Sequence, residues 1–145
     1  MKTVAFRGIH FAVIILMLVT CASSPKTRFS IDEVAGTKWF NEEYPPSSGT
    51  DLAEITTDGM MKFYSSLLTN EPPWIGKFTI IENWYDEKGD LWFKSTWENK
   101  DVGPIAYFLC KISKSGTVWE SCWSASGYPS ELSPIEGEYS IYYRK

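Results

Sequence analysis

Histidine is almost absent from this 145-residue chain, since His10 is the only one. His10 lies in an apolar N-terminal segment with the features of a cleaved signal, so the mature protein is predicted to have no histidine. That absence excludes Ser-His-Asp and Cys-His catalysis as well as histidine metal sites. A carboxylate pair could still serve a glycosidase, although acidic pairs such as Glu42-Glu43 and Asp86-Glu87 are typical of solvated turns. The sequence therefore predicts a protein that is not an enzyme and holds no cofactor.

The chain also lacks an apolar run long enough to span a membrane. Its longest, residues 9–19, follows the basic residues Lys2 and Arg7, whereas about 20 apolar residues are needed to cross the hydrocarbon core. A basic start followed by a short apolar core is typical of an export signal that is cut off.

The end of this segment, Leu-Val-Thr-Cys at residues 18–21, resembles the lipobox of bacterial lipoproteins. The resemblance implies that residues 1–20 are a signal peptide and that Cys21 is acylated, with palmitate as a typical chain. Residues 21–35 are then a lipidated, flexible tether to the outer membrane of a bacterial cell envelope. The alternative is a secreted or periplasmic protein that is cleaved after Ala22.

Clusters of basic residues are missing as well. Lys2 and Arg7 belong to the signal, so 12 basic residues face 18 acidic ones in the mature chain, a net charge of −6. Such a surface excludes nucleic acid and anionic membrane surfaces as partners. The mature length suffices for one domain, which we place at residues 36–145 and expect to be a monomer.

Long stretches with a helical period are absent, and short aromatic and β-branched runs alternate with Gly, Pro, Asn and Asp. Eight strands are predicted, at residues 37–43, 51–57, 60–66, 74–85, 90–98, 104–114, 117–124 and 138–144. Tight turns are predicted at 58–59, 86–89 and 115–116, so successive strands should form an antiparallel meander. Eight strands without covering helices bury one face by closing into an up-and-down barrel, with a two-sheet sandwich as the alternative.

Pairing of the fourth and fifth runs predicts which side chains point into the barrel. With Tyr85 opposite Asp90, Glu82 and Trp84 face inward together with most of the aromatic residues. The predicted ligand-lining residues are Phe78, Ile80, Glu82, Trp84, Phe93, Trp97, Phe108, Trp119 and Trp123. Glu82 is expected either to orient the polar head of a ligand or to reach solvent at the barrel mouth.

The segment that opens the first strand, Gly36-Thr37-Lys38-Trp39, resembles the Gly-x-Trp signature of lipocalins. The resemblance implies an eight-stranded barrel in which Trp39 plugs the closed end and Arg144 packs over the Trp39 indole. It also implies that the interior binds a small apolar or amphipathic ligand.

The sequence also supports a second function, namely a barrel that is filled by its own side chains and binds a protein on its outer surface. The partner would be a host factor or an envelope hydrolase, and the contacts would come from Trp92, Tyr107 and residues 125–134. Interior volume distinguishes the two functions.

Cysteine is scarce, and the two cysteines of the predicted domain can meet in one register only. If residues 115–116 form a two-residue turn, Cys110 faces Ser121 and Cys122 lies on the other face of the sheet. A three-residue loop or a bulge would bring Cys110 and Cys122 together as a disulfide, so both outcomes stay open. Two cysteines without histidine do not predict a metal site.

Overall fold

The computed structural model describes residues 28–42, 51–64, 71–101 and 103–144. Its eight strands are β1 (Thr37–Phe40), β2 (Leu52–Ile55), β3 (Met60–Tyr64), β4 (Trp74–Tyr85), β5 (Leu91–Glu98), β6 (Ala106–Ile112), β7 (Val118–Ser124) and β8 (Glu138–Tyr143). They pair antiparallel in chain order and close into a barrel, with Phe40 opposite Tyr143 where β1 meets β8. The predicted all-β, up-and-down barrel and its eight strands are confirmed.

The predicted N-terminal signal and the predicted acylation site, Cys21, lie outside the described residues. Within the described part of the chain, no helix is long and apolar enough to cross a membrane.

Glycines close the tight turns between consecutive strands. Gly59 (φ +80°) and Gly89 (φ +86°) adopt the left-handed conformation in the turns after β2 and β4, where a side chain would be strained. In the second turn, one carboxylate oxygen of Asp86 accepts the backbone N–H groups of Lys88 and Asp90, each at 3.0 Å. The turn chemistry read from the sequence thus sets the hairpins.

A β-bulge in β4 changes the facing of its second half. Ile80 pairs with Ser95, as the predicted register requires, but Glu82 pairs with Lys94 because the register shifts between the two positions. A shift of one residue moves every later side chain to the opposite face. Glu82 and Trp84 therefore lie on the outer face, which corrects the prediction that they point inward.

Residues 28–35 lie against the barrel rather than in the predicted tether. Phe29 is buried, and its N–H donates to the carbonyl of Lys114 at 2.9 Å. A 3-10 helix, Ile31–Glu33, follows it. The folded domain therefore starts near residue 28 instead of at Gly36.

The two ends of the barrel differ. At one end, which we call the closed end, lie the residues that precede β1 and the turns after β2, β4 and β6. At the opposite end, which we call the mouth, longer connections join β1 to β2, β3 to β4, β5 to β6 and β7 to β8.

Candidate functional site

Trp39 fills the closed end. Its side chain is fully buried, and its ring lies edge-on to the rings of Trp119 (centroids 5.6 Å apart) and Phe29 (6.5 Å). Trp39 Nε1–H donates to Thr37 Oγ1 at 2.6 Å, and that hydroxyl donates to the Val34 carbonyl at 2.5 Å. Because its one polar atom is paired, the indole can be buried here without an unsatisfied donor.

The lipocalin resemblance implies that Arg144 packs over Trp39, but in the structure Arg144 packs over a neighbouring ring. The ring beneath its guanidinium is Phe29, whose centroid is 5.4 Å from Cζ, and Phe29 in turn contacts Trp39. The prediction of a direct Arg144–Trp39 contact is therefore corrected. The sequence could not show this, since Phe29 falls in the stretch predicted to be a tether.

A cavity of about 550 Å³ lies in the mouth half of the barrel. Its volume is within the roughly 300–1,000 Å³ that is usual for small-molecule sites. The aromatic lining residues are Phe63, Trp74, Trp97, Phe108, Trp119, Trp123 and Tyr142. Ala53 and Ala106 also face the cavity, and their small side chains leave space that larger residues would fill.

Polar groups are few among the described lining residues of the cavity. Asp51, Ser121, Glu138 and Ser140 line the cavity beside Tyr142, and no lysine or arginine is found among the described lining residues. Burial raises the pKa of Tyr142 to about 12; a hydrogen bond with Ser140 lowers it, and repulsion from the carboxylates of Asp51 and Glu138 raises it further. Both carboxylates thus share the cavity wall with the phenol.

The centre of the barrel contains a neutral thiol. Burial raises the pKa of Cys110 to about 12, and the neighbouring Trp119 and Ser95 side chains lower it only in part. Trp119 Nε1 and Ser95 Oγ are buried, and neither has a hydrogen-bond partner among the described residues. A thiol in such a dry environment is neither a nucleophile nor a metal ligand at neutral pH.

No protein-family model, curated protein or solved structure matches this chain. The eight-stranded antiparallel barrel is compatible with a lipocalin-like fold. The resemblance rests on this architecture and on the Gly-x-Trp segment that ends in Trp39.

Seven of the nine predicted lining residues face the interior. Trp97, Phe108, Trp119 and Trp123 line the cavity itself. Phe78, Ile80 and Phe93 belong to the core instead, where the rings of Phe78 and Phe93 meet edge to face at 6.5 Å.

The other two, Glu82 and Trp84, are on the outer face. Glu82 Oε1 lies 2.6 Å from Lys94 Nζ, so this carboxylate is partnered in solvent and orients no ligand in the barrel. Trp84 stacks on Trp92 with ring centroids 6.1 Å apart. Both tryptophans, Lys94 and Tyr128 line an outer groove of about 380 Å³.

The sequence prediction missed the lining residues of β2, β3 and β8. In β3, Met61 and Phe63 point inward and alternate with Lys62, so a period of two residues was a usable signal. In β8, Tyr142 is buried and lines the cavity, whereas Ile141 is exposed. Because apolar side chains occupy both faces of β8, alternation could not identify the inner one.

Cys110 and Cys122 are both free and buried. Cys110 pairs with Ser121 and Cys122 with Leu109, which is the register predicted for a two-residue turn, and the two thiols lie on opposite faces of the sheet. The Cys122 thiol donates to the Ser133 carbonyl at 3.3 Å. Of the two outcomes that the sequence left open, the structure therefore has no disulfide.

The described part of the chain has no group of three His, Cys, Asp or Glu side chains placed to hold a metal ion.

Proposed function

We propose that the mature protein is a lipid-anchored protein of the bacterial cell envelope that binds a small apolar or amphipathic molecule inside its barrel. The observation that carries this proposal is the aromatic-lined cavity at the mouth, at the opposite end from the Trp39 plug. A barrel filled by its own side chains would leave no such space.

The chemistry of the walls supports binding of an apolar body. Flat aromatic side chains offer large contact areas and lose little conformational freedom when a ligand covers them. Trp74 stacks on Phe63 with ring centroids 6.0 Å apart and is still 37% exposed at the mouth. An apolar ligand would cover that exposed ring, which gives binding a hydrophobic driving force.

The envelope location rests on the sequence alone. The basic start, the short apolar core and the lipobox-like residues 18–21 support export followed by acylation of Cys21. The same sequence supports a binding protein rather than an enzyme, since no histidine follows His10.

The first test is ligand binding with a matched pair of variants. Four of the seven tryptophans line the cavity, so emission should change when fatty alcohols, alkyl amines, fatty acids, retinoids or a haem-like dye enter it. Ala106→Phe places a ring in the cavity and should weaken binding by about tenfold or more. Thr96→Phe adds the same ring one strand away, where Thr96 pairs with Thr79 and Tyr107 on the outer face, and should leave binding within about twofold.

An unchanged emission spectrum across the whole panel would contradict the proposal. Equal binding by the two phenylalanine variants, both still folded by circular dichroism, would place the ligand outside the barrel.

The outer groove favours a second candidate, a protein partner bound on the outer face. Trp84 and Tyr128 line the groove and are exposed, at 39% and 36%. Capture of an envelope protein that is lost on Trp84→Ala and retained on Ala106→Phe would support this candidate over the ligand carrier.

A further inference from the structure

We propose that the cavity selects ligands with a cationic amine group over fatty acids and other carboxylates. This inference rests on the proposed ligand-binding function and adds the chemical class of the ligand. Its first basis is the charge of the wall, where Asp51 and Glu138 are the charged members of the described lining.

The residues around the mouth are mostly negatively charged, as the cavity wall is. The described residues that flank the strands at the mouth include four carboxylates and one lysine, Lys100: Glu42, Asp51, Glu71 and Asp101. A negative potential of this kind raises the local concentration of cations and lowers that of anions.

The aromatic walls add a second attraction for a cation. Trp74, Trp97 and Trp123 line the cavity together with the two carboxylates. An ammonium group over a tryptophan ring is attracted by about 0.5–2 kcal/mol, and more strongly when it is desolvated. A cationic head near Glu138 would thus meet a counter-charge and aromatic rings at once.

A fatty-acid head would find no such partners. Carboxylates are usually bound by arginine, lysine or several backbone N–H groups, whereas the described polar wall offers the hydroxyls of Ser121, Ser140 and Tyr142 beside two like charges. Burying an anion there would cost desolvation and repulsion without an ionic partner. The walls therefore accept the apolar chain of an amine or of a fatty acid, but they distinguish the two ligands by their head groups.

The test compares three probes with one skeleton, namely decylamine, decanol and decanoate, by isothermal titration calorimetry at neutral pH. We expect decylamine to bind about tenfold more tightly than decanol and decanoate to bind most weakly. Replacing both carboxylates, Asp51→Asn with Glu138→Gln, should reduce the preference for decylamine over decanol to about twofold. Glu138→Gln alone gives a partial loss and serves as the readout if Asp51→Asn disturbs the fold.

The matched control is Glu54→Gln, which removes one charge from the outer face of β2, where Glu54 lies 3.8 Å from Lys38. The control should keep the full amine preference. Equal binding of all three probes, or an amine preference that survives both substitutions, overturns the inference while the proposed function stands. No binding of any probe, nor of the wider panel, overturns the proposed function itself.

Discussion

At the scale of single residues, hydrogen bonding explains why the Gly-x-Trp segment begins the domain. Gly36 has φ +83°, which a side chain would strain, and the following Thr37 accepts the indole N–H of Trp39. The Thr37 hydroxyl in turn donates a hydrogen bond to the Val34 carbonyl. A short stretch of sequence thus buries a large aromatic side chain without leaving its donor unsatisfied.

Cys110 gives a prediction for alkaline pH. Burial raises its pKa in the folded protein from 9.0 to about 12, so between pH 9 and 12 the unfolded chain loses the thiol proton that the folded chain keeps. Because the unfolded state then binds fewer protons, stability falls as the pH rises. From pH 8 to pH 10 we expect the free energy of unfolding to lose about 1 kcal/mol through this thiol.

Urea unfolding under reducing conditions at pH 8, 9 and 10 measures this loss against Cys110→Ala, which has no thiol at that position. The difference in unfolding free energy between the two proteins should shrink as the pH rises. A constant difference would show that the Cys110 thiol ionises at its ordinary pKa in the fold.

At the scale of strands, the sequence predicts where each strand lies better than which way its side chains point. Strand positions follow from glycine turns such as those at Gly59 and Gly89, whose φ values are positive. No comparable sequence signal predicts the bulge in β4, because Ile80 and Ile81 are both apolar and either could face inward. The inward placement of Glu82 was wrong for that reason, and its observed ion pair with Lys94 depends on tertiary structure.

The same limit applies to the cavity. Trp97, Trp119 and Trp123 could be assigned to the interior because polar residues alternate with them, as Thr96 and Glu98 do on either side of Trp97. The space itself could not be predicted, since it depends on small residues from different strands, such as Ala53 and Ala106, lining the same cavity. Cavity volume is a property of the assembled strands, not of any one of them.

Gly76 in β4 provides a prediction at this scale. A Cβ at this position would lie 2.2 Å from Trp97 Nε1 and 2.6 Å from the Glu98 carbonyl oxygen, so the indole covers the glycine closely. Gly76→Ala should push Trp97 away, break its 3.3 Å hydrogen bond to the Met61 carbonyl and lower the free energy of unfolding by about 1–3 kcal/mol.

The displaced Trp97 should also weaken ligand binding, because this indole lines the cavity. Chemical unfolding and fluorescence titration test both effects. Thr79→Ala, on the outer face of the same strand opposite Thr96, is the control and should cost less than about 1 kcal/mol. Similar losses in the two variants would mean that the Gly76–Trp97 contact is unimportant.

At the scale of the whole molecule, the chain enters the domain at the end opposite to the cavity mouth. Phe29 is held at the closed end by Lys114 of the β6–β7 turn and by the Arg144 guanidinium. If Cys21 is acylated, residues 22–27 connect the lipid to the domain, and six residues span at most ~20 Å. The closed end must then stay near the membrane.

A membrane-anchored barrel should therefore present its mouth to the aqueous space rather than to the lipid. A strand as long as β5 extends over ~27 Å. Because barrel strands usually tilt by about 40° from the barrel axis, the two ends lie ~20 Å apart along that axis. A ligand would then enter from solution, which suits a soluble amphipathic amine better than a membrane lipid.

The orientation can be measured by energy transfer from labels on the mature, vesicle-bound protein to an acceptor in the bilayer. Lys88→Cys places a label at the closed end and Lys100→Cys places one at the mouth; both positions are exposed, whereas Cys110 and Cys122 are buried and should not react. Transfer should be clearly higher from residue 88, because its efficiency falls steeply over the ~20 Å that separate the two ends. Adding Cys21→Ser should abolish transfer from both labels and leave the fold unchanged, since residue 21 precedes the folded domain. Equal transfer from both positions would contradict the orientation, and undiminished membrane binding after Cys21→Ser would contradict the lipid anchor.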